Sequence, residues 1–286
     1  MFDIKAAILD LDGVVIGTKA GFNFPNPHPV ITQRLKEVNS SGVPVSLCTA
    51  KYHYSITELI KKASLDNLHI TDNGAVLLDV IKGKIKSKKI INNRVVLNLL
   101  KEFDSQMYTE IFTVRNWYTK KEVSSQSIKN RSQMLHRQPI QTNNLIEMAK
   151  DLEVVKIIFM TTDETEKEKY NEKLKKYSDK IKISWTTNPK LLPRQLCIIT
   201  APGISKRAAA YEISQSLEIP LENILGVGDN LSDWQFIELC GYGAAMGNAT
   251  DQLKEMVLTK GKNRSYIGKH VDDHGVLDIF DYFLKK

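Results

Sequence analysis

Short apolar runs alternate with amphipathic stretches over the first 80 residues of the chain. The run Ala6–Leu9 is typical of a buried strand, and further apolar runs follow at 43–50 and 69–78. Between these runs, 29–41 and 54–65 repeat apolar residues every three or four positions, which predicts helices. Strand, helix and strand in this rhythm predict parallel pairing, and therefore an α/β fold with a doubly wound, Rossmann-like parallel sheet.

From about Ile81 the pattern changes to Lys-rich polar stretches mixed with isolated apolar runs. The spacing predicts a helix at 92–103 and a strand containing aromatic residues at 110–119. A long polar helix follows later in this stretch, and Thr162 or Asp163 is its candidate N-cap. These elements indicate a mixed α+β segment that differs in character from the first 80 residues.

The α/β rhythm returns after LCIITAPG, with a predicted helix in SKRAAAYEISQSL and a strand in NILGVGD. We therefore expect a Rossmann-like core domain formed by 1–80 and 203–286. Residues 81–202 would be an inserted α+β cap domain that determines substrate specificity.

Composition is that of an ordinary globular protein, with 286 residues, 42% hydrophobic and 26% charged residues. Apolar runs stay well short of the ~18 residues of a membrane span, and a strand is predicted to begin by about Lys5, so we expect neither a membrane span nor a signal peptide. The net charge of +7 is dispersed along the chain, which favours a solvated surface over binding of a nucleic acid and is compatible with modest steering of small anionic substrates. We expect a cytoplasmic monomer or homodimer with no nucleic-acid and no membrane partner.

Three cysteines, at 48, 197 and 240, lie in separate apolar contexts without the spacing of metal ligands. This placement favours small buried side chains over disulfides.

Carboxylates follow two of the predicted strands directly. Asp10 and Asp12 come after the first strand, and Asp229 and Asp233 come after the strand in NILGVGD. In a parallel sheet, ligands bind beyond the carboxyl ends of the strands, so these four acids would gather in one crevice. Such a concentration of negative charge needs a cation. Carboxylate and carbonyl oxygens favour a hard ion, and Mg²⁺ is the natural candidate.

A carboxylate in such a site can attack phosphorus to form an aspartyl phosphate, while the cation neutralises the phosphoryl oxygens. A second carboxylate two residues on can handle the proton of the leaving group. Thr49 at a strand end and Lys206 near a helix start can supply donors to the phosphoryl group.

Seven segments carry a resemblance to a known family. DLDGV (10–14), Thr49, Lys206 in GISKRAA, and GDNLSD (228–233) resemble the four motifs of the haloacid dehalogenase (HAD) superfamily. More narrowly, the chain resembles the Cof-type branch, whose large cap is inserted between the second and third motifs. The segments that carry this second likeness are TDNGA (71–75), AMGNA (245–249) and DDHGV (272–276).

The resemblance implies a role for each matched residue. Asp10 would be the nucleophile, and Asp12 the general acid and then the general base. The metal ligands would be Asp10, the backbone carbonyl of Asp12, Asp229 and Asp233, the last of which would hold the metal's waters or Lys206. The phosphoryl group would be bound by Thr49, Ala50, Lys206 and Ser232.

Two departures from the family pattern concern residues that would bind the substrate. Thr49-Ala50-Lys51 stands where the family often has Thr-Gly-Arg, so a basic side chain remains without the planar fork of arginine. Ser232 stands where the family usually has Asn. The candidate substrate-binding side chains are Lys51, His53 and Asn73.

Three functions fit these observations. The first is a Mg²⁺-dependent phosphatase of a small phosphorylated metabolite, a sugar or sugar-acid phosphate, acting through an aspartyl phosphate. The second is a phosphotransferase of the phosphomannomutase kind, and the third is a binding protein of the HAD fold without turnover. The segment HVDDH (270–274) also leaves open a transition-metal site, because imidazole and carboxylate ligands cluster there.

Overall fold

The protein is described by a computed structural model that covers residues 2–121, 124–187 and 193–284. In chain order, the elements as far as the first eight strands are β1 (Ala6–Leu9), α1 (Pro29–Ser40), β2 (Val45–Leu47), α2 (His53–Lys62), β3 (Leu68–Thr71), β4 (Val76–Asp79), β5 (Lys84–Lys88), α3 (Asn93–Phe103), β6 (Tyr108–Phe112), β7 (Trp117–Lys120), α4 (Ser125–Leu135) and β8 (Ile140–Thr142). The remaining elements are α5 (Leu145–Ala149), β9 (Lys156–Thr161), α6 (Glu164–Leu174), β10 (Lys182–Thr187), β11 (Gln195–Thr200), α7 (Lys206–Leu217), β12 (Ile224–Gly228), α8 (Trp234–Ile237), β13 (Tyr242–Ala245), α9 (Asp251–Leu258), β14 (Ser265–Ile267) and α10 (Gly275–Leu284).

Internal contacts divide the chain into two compact units. The first unit contains 1–51, 56–87 and 205–286, and the second contains 52–55 and 88–204. The sequence pattern placed 81–87 in the insertion, whereas the structure groups these residues with the first unit. The physical reason is that β5 extends the sheet of β3 and β4 as its third strand.

A five-stranded sheet in the order β14-β13-β12-β1-β2 lies at the centre of the first unit, and all of its neighbouring strands are parallel. The strands are short, and β1, β2 and β12 are buried at every position. A single bridge between Cys48 and Ile70 continues the sheet towards β3. The prediction of an α/β fold with a Rossmann-like parallel sheet is confirmed.

Helix α7 shows how local sequence places a functional side chain. Ser205 caps the helix by accepting a hydrogen bond from the backbone N–H of Ala208. Ala209, Ala210 and Ile213 form its buried face, and Lys206 at the first helical position is buried with them. An ammonium at this position has little access to water, so it needs carboxylate partners.

The stretch 69–78, predicted as one strand, is two antiparallel strands, β3 and β4. The chain reverses at Asp72, Asn73 and Gly74, whose φ angles of 54°, 61° and 99° are left-handed and incompatible with a continuous strand. The stretch 110–119 is likewise a hairpin, in which β6 pairs antiparallel with β7.

A six-stranded sheet in the order β10-β11-β9-β6-β7-β8 organises the second unit. Asp163 caps α6 by accepting from the backbone N–H of Glu166, so of the two candidate caps the structure selects Asp163. This unit also buries an ion pair, in which Arg131 Nε donates to Glu110 Oε1 over 2.6 Å. Among the described residues, none of the helices combines the length and the apolar character that a membrane crossing requires.

Candidate active site

Strand pairing brings the two acidic loops to one edge of the parallel sheet. β1 and β12 are direct neighbours, and Leu9 lies in register with Val227. The backbone N–H of Asp10 donates to the carbonyl of Val227 over 2.9 Å. Asp10 and Asp229 therefore leave the carboxyl ends of adjacent strands, where ligands of such sheets bind.

Gly13 lets the two loops approach closely. Its φ of 82° is left-handed, and a Cβ at this position would lie 1.9 Å from Asp229 Oδ2. The glycine of DLDG is therefore required both by the backbone conformation and by the carboxylate that lies against it.

Lys206 joins two of the carboxylates. Its Nζ donates to Asp10 Oδ1 over 2.6 Å and to Asp233 Oδ1 over 2.7 Å. Burial by itself would lower the pKa of Lys206, but Asp10 and then Asp233 hold that pKa well above its ordinary value. The lysine is thus a fixed positive charge between the two loops.

Negative charge nevertheless exceeds positive charge in this cluster. Carboxylate oxygens of Asp10, Asp229 and Asp233 all lie within 4.8 Å of one another, with one ammonium among them. Burial, followed by the charge of Asp233, raises the pKa of Asp10 well above its ordinary value despite Lys206. The same two causes raise the pKa of Asp229 to about 7. An all-oxygen cluster with surplus negative charge fits a hard divalent cation such as Mg²⁺.

Asp12 lies outside this cluster. Its side chain is exposed, and its Oδ1 accepts a hydrogen bond from Lys51 Nζ over 2.6 Å. Lys51, which stands where the family often has Arg, therefore contacts the predicted general acid. The predicted metal contact of Asp12 through its backbone carbonyl stays a prediction.

The Thr49 loop follows β2 and is held by backbone hydrogen bonds from the turn at Asp72–Gly74. Thr49 is buried, and its Oγ1 accepts from the backbone N–H of Lys51 over 3.1 Å. Ala50, between them, is exposed. Asn73 donates its backbone N–H to the carbonyl of Thr49 over 3.2 Å. Phosphate binding by Thr49 and Ala50, and substrate binding by Asn73 and Lys51, stay predictions.

Asp233 organises the loop after β12. Its Oδ2 accepts from the backbone N–H groups of Asp229 and Asn230, each over 3.0 Å, while Oδ1 faces Lys206. The side chain therefore fixes both the loop and the lysine. Ser232 is exposed in the same loop, and its predicted phosphate contact stays a prediction.

Asn248, in the AMGNA segment, contacts the DLDG loop, a role that was not predicted from the sequence. Its Nδ2 donates to the carbonyl of Gly13 over 2.9 Å, and its Oδ1 accepts from the backbone N–H of Val271 over 2.8 Å. It ties the DLDG loop to the segment before α10. Its position shortly after the parallel strand β13 is the sequence feature from which this role could have been predicted.

Side chains of the HVDDH segment make local hydrogen bonds and ring contacts. His270 Nδ1 accepts from the backbone N–H of Asp272, and Asp272 accepts from Thr18 Oγ1 over 2.8 Å. The His274 ring lies against the rings of Phe22 and His28. Within 2–121, 124–187 and 193–284, the metal-type cluster found is the aspartate cluster, so the transition-metal alternative gains no support.

His53 groups with the second unit, in the segment Tyr52–Ser55. Its ring makes an edge contact with Tyr54 at a centroid distance of 5.2 Å. Its predicted contact with substrate stays a prediction.

The three cysteines are buried free thiols, as the sequence context indicated. Burial raises the pKa of Cys197 and of Cys240 to about 12, so neither is an activated thiolate.

Residues 7–280 match the haloacid dehalogenase-like hydrolase family. The chain belongs to this family. The phosphatase YwpJ of Bacillus subtilis (strain 168) is 22% identical to this hydrolase over 302 residues, which cover 98% of the chain and 100% of YwpJ. The 5-amino-6-(5-phospho-D-ribitylamino)uracil phosphatase YcsE of the same organism is 24% identical over 254 residues, 88% of each protein.

A solved structure of a haloacid dehalogenase-like hydrolase from Bacteroides thetaiotaomicron shares the fold, with a TM-score of 0.84 at 18% identity. The superposition covers 98% of this chain and 100% of that chain. The predicted membership in the Cof-type HAD hydrolases and the predicted phosphatase class of enzyme are confirmed.

Proposed function

We propose that this hydrolase is a Mg²⁺-dependent phosphatase that removes the phosphoryl group of a small metabolite through an aspartyl phosphate on Asp10. The observation that carries the proposal is the aspartate cluster with its single lysine. Three carboxylates that lie within 4.8 Å of one another at the carboxyl edge of the sheet match what this chemistry needs.

In the first step, Asp10 attacks phosphorus, and the bond from phosphorus to the leaving oxygen breaks as the Asp10–phosphorus bond forms. Asp12 in its acid form gives its proton to the leaving oxygen. Lys206 and Thr49 donate to the phosphoryl oxygens, whose charge spreads in the transition state. Each residue belongs to the first unit.

In the second step, Asp12 acts as a base. It takes a proton from a water molecule, whose oxygen attacks phosphorus, and the bond to Asp10 breaks. Inorganic phosphate leaves and Asp10 is free again. The exposure of Asp12 suits a group that exchanges protons with both a leaving group and water.

Asp10 and Asp229 would hold the cation, and Asp233 would hold the metal's waters or Lys206. When bound, Mg²⁺ supplies positive charge that neutralises the phosphoryl oxygens and orients them for in-line displacement. Lys206 keeps its own contacts with Asp10 and Asp233, so it limits how many carboxylate oxygens remain for the ion.

A phosphorylated sugar, sugar acid or sugar alcohol is the substrate class that we propose. The name of the YcsE relative describes a phosphate ester of a ribityl chain, which is a compound of this kind. We expect the second unit to act as the cap that selects among such substrates.

A phosphotransferase would use the same aspartyl phosphate and return the phosphoryl group to a sugar. A protein without turnover would have no need for a buried cluster with surplus acid, because unpaired buried charge is costly. The relatives YwpJ and YcsE are both named phosphatases, which favours hydrolysis over phosphoryl transfer to a sugar.

The test measures inorganic phosphate released from p-nitrophenyl phosphate and from a panel of sugar, sugar-acid and polyol phosphates. Each reaction is run with Mg²⁺, with excess chelator, and with Mg²⁺ restored. We expect release that requires Mg²⁺ and favours one group of the panel. Isomerisation of a sugar phosphate without release would identify a phosphotransferase, and no reaction with any compound would contradict the proposal.

A further inference from the structure

The turn that joins β3 to β4 holds three successive residues in left-handed backbone conformation. The φ angles are 54° at Asp72, 61° at Asn73 and 99° at Gly74. Left-handed conformation is unfavourable for residues other than glycine, least so for Asn and Asp. Such conformations persist where the surrounding contacts hold them, and they cluster at functional sites.

One side of this turn holds the Thr49 loop. Asp72 donates its backbone N–H to the carbonyl of Lys51 over 2.9 Å, and Asn73 donates to the carbonyl of Thr49 over 3.2 Å. Thr49 in turn donates its N–H to the carbonyl of Ile70 over 2.9 Å. The backbone on both sides of Ala50 is therefore bonded to β3 and the turn.

The other side of the turn touches the start of α7. A Cβ on Gly74 would lie 2.6 Å from the carbonyl oxygen of Ser205 and 3.5 Å from the backbone nitrogen of Lys206. Both neighbours are backbone atoms at the capped start of a helix, so they cannot move aside as the end of a flexible side chain could.

We propose that the Asp72–Gly74 turn is a spacer that sets the distance between the Thr49 loop and Lys206. The inference rests on the proposed function, because these are the two elements assigned there to the phosphoryl group. The spacer acts through backbone conformation and close approach, so its residues are positioning residues. Asn73 then contributes by its left-handed conformation and its N–H, in place of the side-chain contact with substrate predicted from the sequence.

The first experiment compares Gly74→Ala with Gly42→Ala. Gly42 has a φ of 90° and no atom within 4 Å of its Cβ position, so its variant introduces similar backbone strain without a clash. We expect the affinity for inorganic phosphate, measured by calorimetry with Mg²⁺, to fall about tenfold or more in Gly74→Ala, since small misplacements of binding groups are costly. Gly42→Ala should lose thermal stability and keep wild-type phosphate affinity.

The second experiment compares Asn73→Gly with Asn73→Ala, and it applies even where Gly74→Ala does not fold. Both variants lack the amide side chain, but glycine adopts φ near 61° readily and alanine does not. The spacer predicts that the glycine variant binds phosphate several-fold more tightly and has a lower KM than the alanine variant. Equal losses in the two variants would assign the effect to the side chain and overturn the inference.

Phosphate affinity and turnover separate this inference from the proposed function. Wild-type protein that binds phosphate without releasing it from any ester contradicts the function and leaves the spacer open to the same affinity measurements. Active enzyme whose Gly74→Ala variant loses only stability, with unchanged KM and phosphate affinity, overturns the spacer alone. Wild-type protein that neither binds phosphate nor releases it from any ester contradicts both.

Discussion

Two buried groups of charges, one in each unit, differ in how their charges balance. In the first unit, Lys206 faces Asp10 and Asp233, and Asp229 adds a third carboxylate. In the second unit, Arg131 faces the single carboxylate of Glu110 with two hydrogen bonds. The second group is neutral as it stands, and the first is not.

The pKa shifts follow this difference. Burial would lower the pKa of Arg131, but the Glu110 carboxylate holds it well above its ordinary value. Glu110 also accepts from the hydroxyl of Tyr108 over 2.9 Å. In the first unit, burial and a neighbouring carboxylate raise the pKa of Asp10 even beside Lys206. A satisfied pair serves folding, whereas an acid cluster that a lysine cannot neutralise needs a cation or a substrate.

The largest effect that we expect comes from Asp10→Asn. The amide has the shape of the carboxylate but cannot form the aspartyl phosphate, so phosphate release should fall by about 10⁴-fold or more. Lys206 keeps its hydrogen bond to Asp233, so we expect only a small change in the free energy of unfolding. Phosphate release and urea unfolding of the same preparation measure both quantities.

Asp179→Asn is the matched control, because it makes the same chemical change at an exposed position of the second unit. It should behave as wild type in both measurements. Turnover retained by Asp10→Asn would refute the assignment of Asp10 as the nucleophile. It would also remove the reason for assigning catalysis to the charge group of the first unit.

Strand-end chemistry is the part of this site that sequence could predict. Asp10 and Asp229 follow apolar strands directly, and the position of a residue at the end of a strand is a local property. Their convergence follows from parallel pairing of neighbouring strands. The order and spacing of the same residues also carried the resemblance to the family.

Pairings between distant side chains could not be read in this way. Lys51 contacts Asp12 from 39 positions away, and the Glu110–Arg131 pair joins a strand to a helix. The turn at Asp72 was missed because its left-handed conformation depends on hydrogen bonds to a loop elsewhere in the chain. Such contacts depend on the packing of whole elements, which apolar periodicity does not encode.

The second prediction tests the neutral pair. Arg131→Met leaves the Glu110 charge buried beside the Tyr108 hydroxyl without its guanidinium partner, which should cost about 3–5 kcal/mol in the free energy of unfolding. Urea denaturation followed by circular dichroism measures the loss.

A double variant, Arg131→Met with Glu110→Leu, removes both charges and should recover much of that stability. If Arg131→Met kept full stability and instead abolished phosphate release, the pair would belong to catalysis and the contrast between the units would disappear.

The third prediction concerns His69, a buried side chain that is neutral near pH 7. His69 is buried, its Nδ1 accepts from the backbone N–H of Leu47 over 3.1 Å, and its Nε2 lies 3.1 Å from the carbonyl of Leu65. Burial lowers the pKa of His69 to about 4. In the unfolded chain the pKa of this histidine has its ordinary value of about 6.5. Between about pH 4 and pH 6.5 the unfolded chain therefore binds more protons than the folded protein.

The resulting stability is present in full above about pH 6.5 and is lost as the pH falls towards about 4, by about 3 kcal/mol. Urea unfolding at intervals across this range measures the loss. His69→Gln keeps an acceptor and a donor without titrating, so its loss over the same range should be smaller. Identical pH dependence in the two proteins would show that His69 contributes nothing to it.

The smallest effect that we expect is stabilisation by Mg²⁺, and it distinguishes the two charge groups directly. An ion that binds only the folded aspartate cluster adds about 2 kcal/mol at about thirty times its Kd. Asp229→Asn removes one of the carboxylates that would hold the ion, so thermal unfolding of this variant should respond much less to Mg²⁺. Arg131→Met leaves the cluster intact and should gain as much from Mg²⁺ as wild type, although it starts from lower stability. Equal gains in all three proteins would mean that the ion binds outside the aspartate cluster.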